Sequence, residues 1–233
     1  MKVGKLISIG SWSRFEDLDY TRAIILLDPI YSFKIVGAEY SNAFQSGRWD
    51  GRQHLIKQSR DRKAATWPSG FDLEIMDLLR GAGFVVEFVD EAPQSPLAAP
   101  LTWRGPDLRQ YQKDAVQAAL KGRGCILRIP TRGGKTLIAA EIIRRLGQRT
   151  LFVVTSDILL RQAAGVFSTV LEGANVTCIS GETGWEDGGD IVVATVQSLS
   201  MRRATKEAAR LNKSFGLAIF DECHHFSGVL GKA

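Results

Sequence analysis

The chain has 233 residues, 45% of them hydrophobic and 24% charged, with a formal net charge of +5 and a pI of about 9.2. This composition excludes a disordered or low-complexity chain, fits one large globular domain or two small ones, and permits a polyanionic partner without demanding one. No run approaches the roughly 18 apolar residues of a membrane span, and residues 1–5 lack the apolar core of a secretory leader, so a cytoplasmic protein is expected.

Residues 3–9, 22–27 and 31–36 are rich in Ile, Val, Leu and aromatics and are expected to be strands, with Asp28-Pro29 turning between two of them. Phe71, Ile75, Leu78 and Leu79 recur at helical spacing after Ser69, a suitable N-cap; Gly81-Ala82-Gly83 ends that helix and residues 84–89 form another strand. Between these elements, residues 48–63 carry six basic side chains (Arg48, Arg52, Lys57, Arg60, Arg62, Lys63) against Asp50 and Asp61. Basic groups interleaved with Trp49 and Trp67 suit phosphate contacts with stacking; a solvated hairpin with core tryptophans would look the same. The lone His54 is expected to pack or face solvent. Residues 1–90 thus read as a small α+β domain, with Arg48, Trp49, Arg52 and Lys57 as candidate nucleic-acid contacts.

Residues 91–107 hold four of the seven prolines (Pro93, Pro96, Pro100, Pro106) and read as a stiff linker. A second domain, 108–233, opens with an amphipathic helix containing Leu108-Arg109-Gln110-Tyr111-Gln112. An apolar run, 125–129, then leads into Pro130-Thr131-Arg132-Gly133-Gly134-Lys135-Thr136, and an Ala/Leu/Ile-rich helix follows. Strand, glycine turn, Lys-Thr and helix make a phosphate cradle: glycines let backbone N–H groups close on a phosphate, and the helix N-terminus adds partial positive charge. Lys135 would reach the β- and γ-phosphates and Thr136 would offer its hydroxyl to Mg²⁺. Ile129 stands where the full pattern has glycine.

Further apolar strands are expected at 151–155, 176–179, 191–194 and 217–220, with a helix over 156–171. Residues 201–213 form a two-faced helix with Arg202, Lys206, Arg210 and Lys213 on one side, either a DNA-facing or a plain solvated surface. Strands alternating with helices imply a parallel sheet covered on both faces. The last strand ends in Asp221-Glu222-Cys223-His224-His225. An acidic residue at the end of a buried strand holds Mg²⁺ in P-loop NTPases; Asp221 fits that role, and Glu222 fits polarisation of the attacking water. Cys125, Cys178 and Cys223 fit neither a disulfide framework nor a metal site, and each is expected to be buried as a small apolar group.

Pro-Thr-x-Gly-Gly-Lys-Thr followed by Asp-Glu-Cys-His resembles motifs I and II of the superfamily 2 helicases of the DEAD/DEAH group, which tolerate a non-glycine at the position of Ile129. Arg132 replaces a commoner glycine of that loop. The Leu-Arg-x-Tyr-Gln run is similar to the Q-motif region, which implies that Arg109 and Gln112 bind the nucleotide, Gln112 at the adenine edge. Thr155 with Arg161 and Gln162 resembles motif Ia, and Thr195, Gln197 and Ser198 resemble motif Ic; both imply nucleic-acid backbone contacts. His224 is implied to couple the two sites. Phe44-x-x-Gly47-x-Trp49-Asp50-Gly51 is similar to the amino-terminal domain of UvsW-type phage recombination helicases. The resemblance implies a RecA-like lobe after a small DNA-gripping domain, ATP and Mg²⁺ as cofactors, and duplex or branched DNA as partner with RNA also open. For a phage protein the compartment is the host cytoplasm. It also implies a second RecA-like lobe, outside this chain, that supplies arginines to the transferring phosphoryl group; this chain alone is expected to hydrolyse ATP very slowly and not to unwind DNA. Two alternatives stand beside it: the translocase part of a restriction or XPB-like repair enzyme, and a non-catalytic DNA-binding module with a vestigial P-loop.

Overall fold

A computed structural model describes residues 3–16, 18–61, 63–122, 124–181, 184–185, 188–201 and 214–223. The chain divides into two compact units, Met1–Ala92 and Pro93–Ala233.

In the first unit, β1 (Gly4–Ser8) and β2 (Trp12–Glu16) form an antiparallel hairpin. After them come α1 (Tyr20–Leu27), β3 (Ser32–Lys34), α2 (Asn42–Gln45), β4 (Arg52–His54), β5 (Lys57–Gln58), β6 (Ala65–Pro68), α3 (Asp72–Gly81) and β7 (Val86–Asp90). The sheet order is β5-β6-β2-β1-β7, with β7 parallel to β1, while β3 and β4 pair separately. Leu6, Phe15, Ala23, Leu27, Ile56, Trp67, Ile75 and Leu79 fill the core. The strand expected at 22–27 is instead α1. Its β-branched isoleucines suggested a strand, but Asp19 caps the helix by accepting from the Arg22 N–H (3.1 Å), and Ala23 and Leu27, four apart, both bury on the core side. Ser69 does not cap α3. Its hydroxyl donates to the Gly10 carbonyl at 2.6 Å, and α3 starts at Asp72. The Asp72 carboxylate is buried and accepts from the Ser13 hydroxyl and the Trp67 indole N–H, both at 2.8 Å.

The second unit carries β8 (Thr102–Trp103), α4 (Gln110–Lys121), α5 (Lys135–Leu146), β9 (Thr150–Val154), α6 (Asp157–Val170), β10 (Leu171–Glu172), β11 (Val176–Ser180), β12 (Gly184–Trp185), β13 (Ile191–Thr195), α7 (Val196–Met201) and β14 (Leu217–Phe220). Its sheet runs β12-β11-β13-β9-β14, all parallel except β12. All five residues of β13 are buried, as a central strand covered on both faces requires. Ile191 and Val193 point into the cluster built by α5 and α6, where Phe152 meets Phe167 edge-on at 5.0 Å. Val192 and Ala194 point into a second cluster with Leu199 and Phe215. The expected helix at 156–171 is α6, capped by the Ser156 hydroxyl.

Residues 93–107 do not act as a spacer over most of their length. The Leu97 N–H donates to the Gly147 carbonyl at 2.8 Å, the Arg149 N–H to the Ser95 carbonyl at 2.7 Å, and β8 pairs antiparallel with β10. Leu97, Leu101 and Trp103 pack on the α5–α6 cluster, and that apolar contact holds the proline-rich segment to the second unit. No helix among the described residues is long and apolar enough to cross a membrane. Cys125 and Cys223 are exposed and Cys178 is half-buried, contrary to the expected burial of all three; none is in a disulfide.

Candidate nucleotide site and nucleic-acid contacts

The loop before α5 is built by close packing. Residues 125–129, expected as a strand, join no sheet in the structure, nor does Pro130. Leu127 and Ile129 pack toward Val116, Ile138 and Ile142, the preceding Ile126 is exposed, and Pro130 has no N–H to give a ladder. A β-carbon on Gly133 would lie 2.6 Å from Ile129 Cγ2 and 2.9 Å from the Pro130 carbonyl oxygen. Ile129 therefore fills the space that a side chain at 133 would take, and the glycine at 133 is what permits an isoleucine at 129. Gly134, at φ 74°, turns the chain into α5. Arg132 is also left-handed, at φ 64°, which explains the commoner glycine in related loops. The other left-handed non-glycine among the described residues is Glu222, at φ 52°, and both lie in this site. Such backbone is stable only when its surroundings determine it.

Asp221 and Glu222 leave the carboxyl end of β14, where the Asp221 N–H donates to the Val153 carbonyl at 2.9 Å. Glu222, 87 residues from Lys135, forms a direct ion pair with the Lys135 ammonium at the start of α5. That hydrogen bond holds the Lys135 pKa above its ordinary value, and the field of Asp221 adds to the effect. Burial pushes the Asp221 carboxyl up, and repulsion from Glu222 adds to it. One carboxyl thus pairs with the Lys135 ammonium and the neighbouring one acts on it through its field, beside the hydroxyl-bearing Thr136 at the second position of α5. Three oxygen-bearing side chains at a helix N-terminus, one with its charged form disfavoured by burial, suit a hard dication bound to an anion. Glycines 133 and 134 supply the cradle, with Thr131 and Arg132 exposed on its rim.

Gln112 is buried against that loop. Its Nε2 donates to the Gly133 carbonyl at 3.0 Å, and its Oε1 accepts the Arg109 N–H at 2.8 Å. The Tyr111 hydroxyl donates to the same Gly133 carbonyl at 2.9 Å. Both ends of the Gln112 amide are therefore engaged within the protein. A β-carbon on Gly134 would fall 2.4 Å from Gln112 Nε2. Tyr111 had no role assigned from the sequence; its place beside Gln112 on the first turn of α4 was the available signal. The Arg109 side chain is exposed.

Thr155 lies just beyond the carboxyl end of β9, and Thr195 ends β13. The Gln197 Nε2 donates to the Thr155 carbonyl at 3.2 Å and ties the two ends together. Thr195 and Ser198, expected as phosphate donors, are buried: the Thr195 Oγ1 donates to the Ser198 Oγ at 2.9 Å and accepts the Ser198 N–H at 3.3 Å, holding the first turn of α7. Arg161 and Gln162 are exposed on α6 and share a groove of about 580 Å³ with Gly134, Thr136, Leu137 and Val166. His224, Arg62 and the basic face of residues 202–213 lie outside the described residues.

In the first unit the basic stretch divides. Arg52 is a clip: its guanidinium donates to the Ser32 hydroxyl (3.0 Å) and carbonyl (2.7 Å), and its carbonyl accepts the Trp49 indole N–H at 2.8 Å. Trp67 is wholly buried. The Arg48 side chain is exposed, with its Nε donating to the Ser46 hydroxyl at 2.9 Å; the Lys57 ammonium sits 4.7 Å from the centroid of the Trp12 ring. His54 bridges Asp28 through Nδ1 (2.7 Å) and Asp50 through Nε2 (2.8 Å). Both ring nitrogens face carboxylates, which demands the doubly protonated ring, and the Asp28 bond leads the rise of its pKa above the ordinary value.

Residues 105–230 match the protein family described as "Type III restriction enzyme, res subunit". The chain is 31% identical over 137 residues to the DNA 3'-5' translocase XPB2 of Sulfurisphaera tokodaii, covering 59% of this chain and 29% of that protein. It is 27% identical over 228 residues to the ATP-dependent DNA helicase uvsW of Enterobacteria phage T4, covering 87% of this chain and 43% of that protein. A crystal structure of T4 UvsW superposes with a TM-score of 0.70 at 24% identity, covering 96% of this chain and 48% of that one. The chain thus spans less than half the length of these relatives, and the UvsW likeness extends through both units. The second unit has the RecA-like parallel-sheet fold expected from the sequence.

Proposed function

Because the chain belongs to the type III restriction enzyme res-subunit family, among superfamily 2 helicases close to phage UvsW, we propose that it is the nucleotide-gripping part of an ATP-driven DNA motor. The observation that carries this reading is the ion pair of Lys135 with Glu222. It brings together the only two stretches that a Mg²⁺-nucleotide chemistry needs to have adjacent.

The roles rest on the family resemblance, with the geometry in support for the described residues and the resemblance alone for His224. Lys135, at the N-terminus of α5, binds the β- and γ-phosphates and gives up Glu222 as it does so. Glu222, released, accepts the proton of the attacking water. Thr136 and Asp221 hold Mg²⁺, which when bound neutralises charge on the phosphate oxygens. Gly133 and Gly134, with Thr131 and Arg132, would surround the phosphates; the family resemblance assigns Arg109 and Gln112 to the base side, Gln112 through the loop it holds. His224 couples this site to the DNA. Thr155, Arg161, Gln162 and Gln197 meet one nucleic-acid strand, and Arg48 and Lys57 of the first unit contact duplex or branched DNA through its phosphates. Arg52, Trp49, Thr195 and Ser198 shape these surfaces from behind.

Titration of the chain with a fluorescent ATP analogue and Mg²⁺ tests the nucleotide reading. The Lys135→Ala variant should lose binding; binding unchanged from the parent chain would show the loop to be vestigial and favour a passive DNA-binding module. Phosphate release by this chain alone should run about 10³- to 10⁵-fold below that of a complete two-lobed motor, the factor an arginine supplied from a second lobe contributes. Fast DNA-stimulated release by the isolated chain would overturn that part.

A further inference from the structure

The excursion between β3 and β4 of the first unit ends in two large side chains held in solvent. Val36 is fully exposed and Tyr40 is 82% exposed, on either side of Gly37 at φ 81°. Phe33, on β3, is half exposed. Exposed apolar groups at one tip call for a partner when the scaffold under them is built to hold them. Here it is. The Ile35 N–H donates to the Gly51 carbonyl at 2.9 Å, and the Arg48 and Trp49 N–H groups both donate to the Ala43 carbonyl, at 2.9 and 3.1 Å. The Ser41 hydroxyl accepts the Phe44 N–H and caps α2. Ala38 is buried, and a β-carbon on Gly51 would lie 2.9 Å from the Phe44 ring. A β-carbon on Gly37 would lie 3.9 Å from Tyr40 Cδ2, so one edge of the tyrosine ring is near the glycine.

The charges around the tip select the partner. Lys34, two residues before Val36, and Arg48, whose N–H is bonded to Ala43 within the same excursion, are both exposed, against one exposed carboxylate, Glu39; the Asp50 carboxylate is engaged by His54 and the Arg52 N–H. Four apolar side chains, Phe33, Val36, Tyr40 and Phe44, make too small a patch for a protein interface of about 800 Å² per partner, whereas an aromatic ring and an apolar wedge between cations match bases and their phosphates.

We propose that Tyr40 and Val36 form a stacking wedge that engages unpaired bases where a duplex opens, with Lys34 and Arg48 on the flanking phosphates. The wedge would make the first unit a reader of forks and branches rather than of plain duplex. It rests on the DNA reading above and names the substrate feature that unit takes.

The test uses the full chain, a forked DNA with 2-aminopurine at the junction, and a blunt duplex of the same sequence. The double variant Val36→Ala/Tyr40→Ala should bind the fork roughly 5- to 100-fold more weakly and the duplex within about twofold of the parent, as loss of base stacking dictates. It should also abolish the 2-aminopurine emission change, and Tyr40→Phe should retain both signals. Both side chains are exposed, so an unaltered far-ultraviolet circular dichroism spectrum and urea midpoint are expected and check the fold. An unchanged fork-to-duplex ratio in the double variant would overturn the wedge and leave the DNA reading standing. A parent chain that binds neither DNA would overturn both. A double variant that changes the sedimentation coefficient but not fork binding would assign the tip to contact between copies and overturn the wedge.

Discussion

Replacing Gln112 with alanine separates two roles for this side chain. The family resemblance makes Gln112 a reader of adenine; the geometry makes it a clamp between the start of α4 and the phosphate loop. The variant loses the bonds to the Arg109 N–H and the Gly133 carbonyl. At about 1 kcal/mol each, with about 0.8 kcal/mol for the buried methylene removed, the cost is roughly 2–3 kcal/mol. The second unit has 141 residues (93 to 233 inclusive). For a unit of that size 1 kcal/mol moves Tm by about 3 °C, so a drop of roughly 6–9 °C is expected in a calorimetric melt of the nucleotide-free chain. Tyr111→Phe removes the other donor to Gly133 and should cost about 1 kcal/mol alone. In the double variant the carbonyl loses both side-chain donors, and its cost should exceed the sum of the two single-variant costs. If the loop binds nucleotide as proposed, loosening it should weaken ATP and GTP alike. A Gln112→Ala chain that melts with the parent while losing only its preference for adenine would refute the clamp.

Two further outcomes concern the first unit. Asp72→Ala leaves the buried Ser13 hydroxyl and Trp67 indole N–H without their acceptor and should cost about 2–5 kcal/mol, read as a lower urea midpoint of the first unit by tryptophan fluorescence; an unmoved midpoint would show that water or a relaxed neighbour replaces the carboxylate. His54 has a folded pKa above its unfolded one, so its contribution is complete below about pH 6.5 and fades as pH rises through the folded value. Melts of the parent chain should lose stability across that interval relative to His54→Gln, and NMR should show the ring titrating above the ordinary imidazole value; a ring titrating at or below it would sink the bridge.

Much of the site was legible in the residues. Gly-Gly-Lys-Thr and Asp-Glu are local patterns, because a phosphate turn and a strand end are set by the few residues that make them. The parallel sheet was legible too, since 151–155 and 191–194 are apolar on both faces and a strand so built must be central. What failed was what depends on partners distant in sequence. The isoleucines of 22–27 read as strand until Ala23 and Leu27 found a core to share. Arg52, Trp67, Thr195 and Ser198 have the chemistry of nucleic-acid contacts, yet each is turned inward by a neighbour that only packing supplies. Even Gln112 changes meaning once Gly133 stands against it. A sequence lists which groups can bond; the tertiary structure decides which are already bonded and which are left to meet a ligand, because each donor and acceptor is satisfied by whatever the fold brings within about 3 Å of it.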